Sequence, residues 1–219
     1  VKSYGRTDRG DEIPDSLAEM FDQIEPLSNL ASEIERCIIT ETEVADDASP
    51  GLKSVRRNIH VLNDQIRSQM NAMLNSPAHR THLQDNVITQ RNGRYCLPVK
   101  AEAKGQIPGM IHDQSSSGST FFIEPLAIVK LNNDLTELFI KEQEEIEIIL
   151  ANLSNQVGAQ IDPMKTNLIV LTELDFIFAK GYLARELNGT MPMFNQDGII
   201  RIRQGRHPVL DKHKVVPID

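Results

Sequence analysis

Two cysteines, Cys37 and Cys96, stand in 219 residues, far apart and without metal-ligand spacing. A disulfide framework is excluded, and each is expected as a buried free thiol. No apolar run approaches the roughly 20 residues that would span a bilayer, and no signal-peptide pattern opens the chain. The expectation is a soluble, cytoplasmic protein with no membrane partner. Positive charge is scarce: 23 Lys and Arg against 31 Asp and Glu give a formal net charge of −8. That argues against wholesale nucleic-acid binding, which usually shows a basic domain, although a local patch acts within about a Debye length. A Walker A loop is missing too, since no glycine-rich loop is followed by a lysine and Ser/Thr opening a helix. These residues are therefore expected to hold no ATP, no metal and no other cofactor. The length suits one large or two small domains with a buried core.

What is present is mostly helical periodicity. The first ten residues are polar and receive no assignment, and Pro14 suits a first helical turn. Leu17, Met20, Phe21, Ile24, Leu27, Leu30, Ile34 and Ile38 then recur at three- or four-residue spacing, with Pro26 as a kink or break. The polar, acidic stretch TETEVADDASPG follows, ending in Ser49-Pro50, an N-cap with proline at the first helical position. Leu52, Val55, Ile59, Leu62, Ile66, Met70 and Met73 form a near-heptad stripe, the mark of a long amphipathic rod. A second rod carries Ile128, Leu131, Leu135, Leu138, Ile146, Ile149 and Leu153, interrupted where Glu142 falls on the seam. About 30 residues of helix make it ~45 Å long. The two rods should run antiparallel and keep each other's apolar faces covered. Asp162-Pro163 marks a break, and a further helix bearing Leu168, Leu171, Leu174, Phe178 and Tyr182 stops at Asn188-Gly189. Beyond it, Ile199, Ile200 and Ile202 read as a short strand and residues 205–208 as a turn.

Between the rods, residues 86–125 break the pattern. β-Branched and aromatic residues alternate with polar ones, and Asn92-Gly93 and Ser117-Gly118 supply hairpin turns. This is a small antiparallel β island, expected at the far tip of the helix pair. Within it Arg91, Arg94, Lys100 and Lys104 face only one nearby acid, Glu102, which makes a local positive patch on a negative chain. Such a patch can meet a phosphate backbone. Equally, lysine on an exposed edge strand deters strand pairing, and the residues alone weigh the two readings evenly. If all four act, about three phosphates are neutralised and the slope of log affinity against log salt is near −2.7. Tyr95 is either a stacking surface or part of the hairpin's own small core.

Other chemistry is thin. His112, Asp113, Ser115 to Ser117 and Glu124 are hydrolase residue types, yet sequence neighbours on a turn seldom converge into a triad, and a polar hairpin loop explains them. His79 and His82 share a helix spacing without a third ligand nearby. Glu142, Glu144, Glu145 and Glu147 read as a solvated helix face, with no EF-hand spacing.

The segments RNGRYCLPVKAE, GMIHDQSSSGSTFFIEP, VKLNNDL, the acid-rich helix, LDFIFAKGYLA and GRHPVL follow in this order, and together they resemble the MutS family. The likeness is to its second bacterial branch, which lacks the mismatch-reading domain, and it covers nearly everything from residue 17 to 219. It implies a mainly α fold with a small antiparallel β subdomain, in which long antiparallel lever helices carry a β clamp at the tip. Residues 11–85 and 126–190 would be lever and core helices and 86–125 the clamp. Residues 198–219 would be the incomplete start of the ATPase domain, since Gly205-Arg206-His207-Pro208 resembles the approach to it. The resemblance puts Arg91, Arg94, Lys100 and Lys104 on the backbone of double-stranded or branched DNA, or on the ribosome or ribosomal RNA. Complete members of this branch are homodimeric ATPases using ATP and magnesium, commonly with a C-terminal nuclease domain. They are associated with suppressing recombination and with rescuing collided ribosomes. The expectation is a non-enzymatic segment coupling nucleotide state elsewhere to a grip on nucleic acid. The competing reading is a helical scaffold for dimerisation or ribosome docking that touches no nucleic acid.

Overall fold

The computed structural model describes residues 16–211 and 213–219. The expectations for the first ten residues and for Pro14 fall outside them. The contacts divide the described residues into two compact units, one of residues 27–159 and one that joins residues 16–26 with those from Gln160 onward. The fold is mainly α with small antiparallel sheets, as the sequence pattern requires.

In the first unit, α2 (Ser28–Cys37) leads into a small hairpin, β1 (Ile38–Thr40) and β2 (Glu43–Val44). This corrects one expectation: Ile38 belongs to a strand and not to the helical face. Its cause is local: Ile38, Ile39 and Thr40 are β-branched and favour extended backbone, while Val44 packs with Cys37 and Leu52.

Helix α3 (Pro50–Asn75) begins as its residues dictate, with Ser49 Oγ accepting from Leu52 N at 2.9 Å and proline at the first position. After the short α4 (Pro77–Arg80) come β3 (Thr89–Arg91), β4 (Arg94–Lys100), a 3-10 turn (Ala101–Ala103), β5 (Gly109–Gln114) and β6 (Thr120–Pro125). They form one antiparallel sheet in the order β3-β4-β6-β5. Asn92 and Gly93 have φ of 52° and 77°, the paired positive angles of a two-residue hairpin turn. Gly109 is needed for a different reason: a Cβ there would lie 2.2 Å from Glu124 O on the neighbouring strand.

Helix α5 (Leu126–Ala159) follows β6 directly, and its 34 residues make it about 51 Å long. It runs antiparallel to α3. Leu52 packs near Ile149 and Leu153, whereas Ile66, Met70 and Leu74 share a cluster with Ile128 and Leu135. The seam carries polar ties as well as apolar ones. Arg56 Nε meets Glu142 Oε1 at 2.7 Å, and Ser49 Oγ donates to Glu145 Oε2 at 3.0 Å. The acid-rich run is therefore not uniformly a solvated face: Glu142 and Glu145 turn onto α3, while Glu144 and Glu147 stay exposed.

The sheet is not set apart from the rods. Tyr95, Leu97, Val99, Ile107 and Ile123 join Ile59, Ile66, Met70, Leu74, Ile128 and Leu135 in one buried cluster, the largest in the chain's described part. The sheet lies against the helices that carry it, so the helix pair's apolar faces are covered jointly and not by each other alone.

In the second unit, α1 (Ala18–Asp22) packs on α6 (Ile161–Leu187) through Phe21, Ile24, Val170, Leu174 and Phe178. The break near Pro26 is held by Asn167, whose Oδ1 accepts from Glu25 N at 2.9 Å and whose Nδ2 donates to Glu25 O at 2.7 Å. Helix α6 opens with Asp162 and Pro163 in its first turn and closes at Asn188 (φ 51°), where Gly189 N bonds Ala184 O at 2.7 Å. The expected strand at Ile199, Ile200 and Ile202 does not form. Among the described residues no strand pairs with them, Ile200 is 88% exposed, and the backbone pairing nearby joins Gly205 to Ile218 instead.

Candidate nucleic-acid interface

The four basic residues of the sheet do not form one cluster. Arg91 and Arg94 face each other across the β3–β4 turn, while Lys100 closes the other end of β4, about 20 Å along the strand. Lys104 follows the 3-10 turn beyond it.

Arg94 is built into the fold. Its Nε donates to Glu124 Oε2 at 2.8 Å and its Nη2 to Glu124 Oε1 at 2.7 Å, a two-pronged pair, and Nη2 also reaches Asn133 Oδ1 at 2.7 Å. Glu124 is fully buried and the arginine side chain is 18% exposed. Burial works to raise the pKa of Glu124, but hydrogen bonds from Arg94, Asn132 and His112 outweigh it and hold the carboxyl below its ordinary value. Arg91 is partly engaged too. Its Nε lies 3.1 Å from Asp113 Oδ2, its Nη1 donates to Gln90 O, and its guanidinium sits 3.7 Å over the Phe122 ring.

The lysines are held more loosely. Lys100 Nζ donates to Thr81 O at 3.1 Å, and Lys104 Nζ stands 5.6 Å over the Phe121 ring, without a carboxylate partner among the described residues. The segment after α4 positions them: Gln84 N bonds Pro98 O at 2.9 Å and Lys100 N bonds His82 O at 3.0 Å, so residues 82–84 brace the end of β4. On its other side Lys100 pairs with Thr120, and Ala101 N bonds Ser119 O at 3.0 Å. The lysine end of the sheet thus adjoins the hydroxyl-rich Ser115 to Ser119 loop, which turns at Gly118 (φ 74°).

The hydrolase residue types are brought together only in part. His112 Nε2 lies 2.5 Å from Glu124 Oε2, at an irregularity in β5, but that carboxylate already receives Arg94 and Asn132. The serines bond one another and Thr120 N. As wired, this is an ion-pair node and not a nucleophile with its base. Tyr95 is no stacking surface: it is 6% exposed and its hydroxyl donates to Asn63 Oδ1 of α3 at 2.7 Å. His79 and His82 are not joined by a third ligand, and no group of three or more His, Cys, Asp and Glu suited to a metal occurs among the described residues. Burial pushes the Cys96 thiol up to about 11, with the charge of Glu124 adding to it. Burial likewise raises Cys37. No helix among the described residues is long and apolar enough to cross a membrane.

Sequence reasoning missed Asn132 and Asn133. Both bond the sheet, and the signal available was two adjacent asparagines, poor helix formers, within the second rod.

Over all 219 residues the chain is 58% identical to endonuclease MutS2 of Agathobacter rectalis, and it is 54% identical to the protein of the same name from Lachnoclostridium phytofermentans. The chain belongs to the MutS2 branch of the MutS family. A third MutS2 relative, from Lachnospira eligens, is 54% identical over 94% of the chain. The chain spans 28%, 28% and 26% of the lengths of these three relatives. No family model matches it.

Proposed function

We propose that these residues form the lever and clamp region of a MutS2-type protein. The sheet grips the backbone of nucleic acid, and the α3–α5 pair links that grip to nucleotide state in an ATPase domain elsewhere in the full-length protein. The observation that carries this reading is the placement of Lys100 and Lys104. They sit at the end of a sheet mounted on a 34-residue helix, with no carboxylate partner for either among the described residues, in a chain of net charge −8. Charges so placed can meet phosphates while the acidic helices stay back. Arg94 holds the sheet together and Arg91 is engaged by Asp113 and Phe122, which leaves the grip to the two lysines. The segment itself is read as non-enzymatic, with ATP and magnesium the cofactors of the whole protein. Its setting is cytoplasmic, as a homodimer, in recombination control on branched DNA or in rescue of stalled ribosomes.

Two available lysines neutralise about two phosphates, so the salt slope should be near −1.8, and not the −2.7 of a four-residue patch. Fluorescence anisotropy over a salt series with linear duplex, branched duplex and structured RNA tests this. Absence of binding to all three at low salt overturns the clamp. A preference for the branched duplex or the RNA names the physiological target.

The scaffold reading has an observation of its own. Leu168, Ile169, Phe176, Tyr182 and Leu183 of α6 are all more than half exposed, an apolar surface that suits contact with other protein. It takes over if binding fails while the chain self-associates.

A further inference from the structure

Strand β6 runs straight into α5 at Pro125, and the backbone ladder should fail at that junction. The β4–β6 register pairs Leu97 with Ile123 and Pro98 with Phe122, so its continuation sets Tyr95 opposite Pro125, which has no N–H to donate. The gap is filled from the helix. Asn132 Oδ1 accepts from Tyr95 N at 3.2 Å and its Nδ2 donates to Tyr95 O at 3.3 Å, so the carboxamide stands in for the missing peptide group. The same Nδ2 reaches Glu124 Oε1 at 2.7 Å. Asn132 is 1% exposed, and Arg94 completes the network by bonding both Glu124 and Asn133.

We infer that Asn132 and Glu124 are positioning residues that make the four-stranded sheet and the first turns of α5 one rigid body. A displacement of α5 then carries the Lys100–Lys104 end of the sheet with it. Apolar contacts alone would not achieve this, because they are non-directional and let a sheet slide or rock on a helix, whereas hydrogen bonds fix angle and register. The mechanical use of the joint rests on the function proposed above, but the joint itself does not.

The test uses the full 219-residue chain with spin labels on Ser116→Cys and Glu144→Cys, both exposed positions, while Cys37 and Cys96 are buried. Electron paramagnetic resonance should give one narrow distance distribution. Asn132→Leu should broaden or split it while helix content by circular dichroism is unchanged; an equally narrow distribution overturns the inference. Should that variant not fold, hydrogen exchange on the unsubstituted chain decides. The Tyr95 amide should be protected to the same degree as the amides of Ile128 to Leu135, and exchange about tenfold faster or more would mean that it opens independently of the helix. Neither measurement contains nucleic acid. A loose joint with intact binding sinks this inference alone, and a rigid joint without binding sinks the clamp alone.

Discussion

At the start of strand β4 a cation is locked into the interior of the fold, whereas at its end two cations rest on its surface. Arg94 makes two bonds to a fully buried carboxylate and another to Asn133. Lys100 donates to one backbone carbonyl and Lys104 leans on an aromatic ring. The difference teaches that charge of one sign on one strand can serve two ends. Arginine's planar fork matches a carboxylate and suits a buried pair, while lysine's hydrated ammonium on a flexible stem remains available to a partner. A basic patch counted from sequence mixes the two kinds.

The comparison breaks most bluntly if the sheet is dispensable. Deleting residues 86–125 and joining the helices through a short Gly-Ser linker strips Tyr95, Leu97, Val99, Ile107 and Ile123 from the core shared with α3 and α5. Each such side chain contributes about 1.5–3 kcal/mol when fully buried, more in sum than a domain's usual margin of about 5–15 kcal/mol can lose safely. The expected outcome is loss of the cooperative thermal transition and of much helical signal. A deletion variant that melts cooperatively with full helicity would make the sheet a separable tip, and Arg94 merely local.

Single substitutions sharpen it. Arg94→Ala leaves the buried Glu124 charge uncompensated and should cost about 3–5 kcal/mol in denaturant unfolding. Lys104→Ala should stay within about 0.5 kcal/mol of the parent. Equal costs at both positions would erase the distinction drawn here.

Acid should separate the ends as well. The carboxyl of Glu124 is held below its ordinary value in the folded state, so its contribution is present above the unfolded carboxylate value of about 4.3 and is lost as pH falls through the lower folded value. Stability of the parent should therefore fall with acidification in that window more steeply than stability of Glu124→Gln, which has no proton to take up there. Parallel curves would show that Glu124 is not ionised in the fold.

Much of this architecture was legible because its signals are local. Ser49-Pro50 announces α3, Asn92-Gly93 announces the first hairpin and Asn188-Gly189 closes α6, whereas Glu142 was visible only as an interruption of the apolar seam and its partner Arg56 was not. The role of Arg94 was not legible, because its partner lies 30 residues away and Asn132 bonds Tyr95 across 37. In the sequence Arg94 and Lys100 look alike, and only the fold reveals that one of them sits beside a buried acid. The β1–β2 hairpin was hidden for the opposite reason: its turn lacks glycine and proline, so nothing punctuates the acidic run. Ile200 and Ile202 alternate with arginines as a strand would, but a strand is stable only with a neighbour to pair with.

The smallest expected effect on stability belongs to the lysine end, and there the comparison is carried by binding. Lys100→Glu with Lys104→Glu replaces two positive charges by two negative ones on residues that contribute little to the core. The fold should be unchanged and the salt slope for duplex binding should flatten from about −1.8 toward zero, for all sequences alike. Lys53→Glu with Lys141→Glu changes the net charge by the same amount on the helices and is the control. Those reversals should leave the slope nearly intact, because screened charges more than a Debye length from the contact act weakly. If both pairs weaken binding equally, attraction is diffuse over the chain and the sheet end is no clamp. If Arg91→Glu flattens the slope as much as the lysine pair does, the arginine held by Asp113 and Phe122 is released on binding, and the two ends of β4 act together after all.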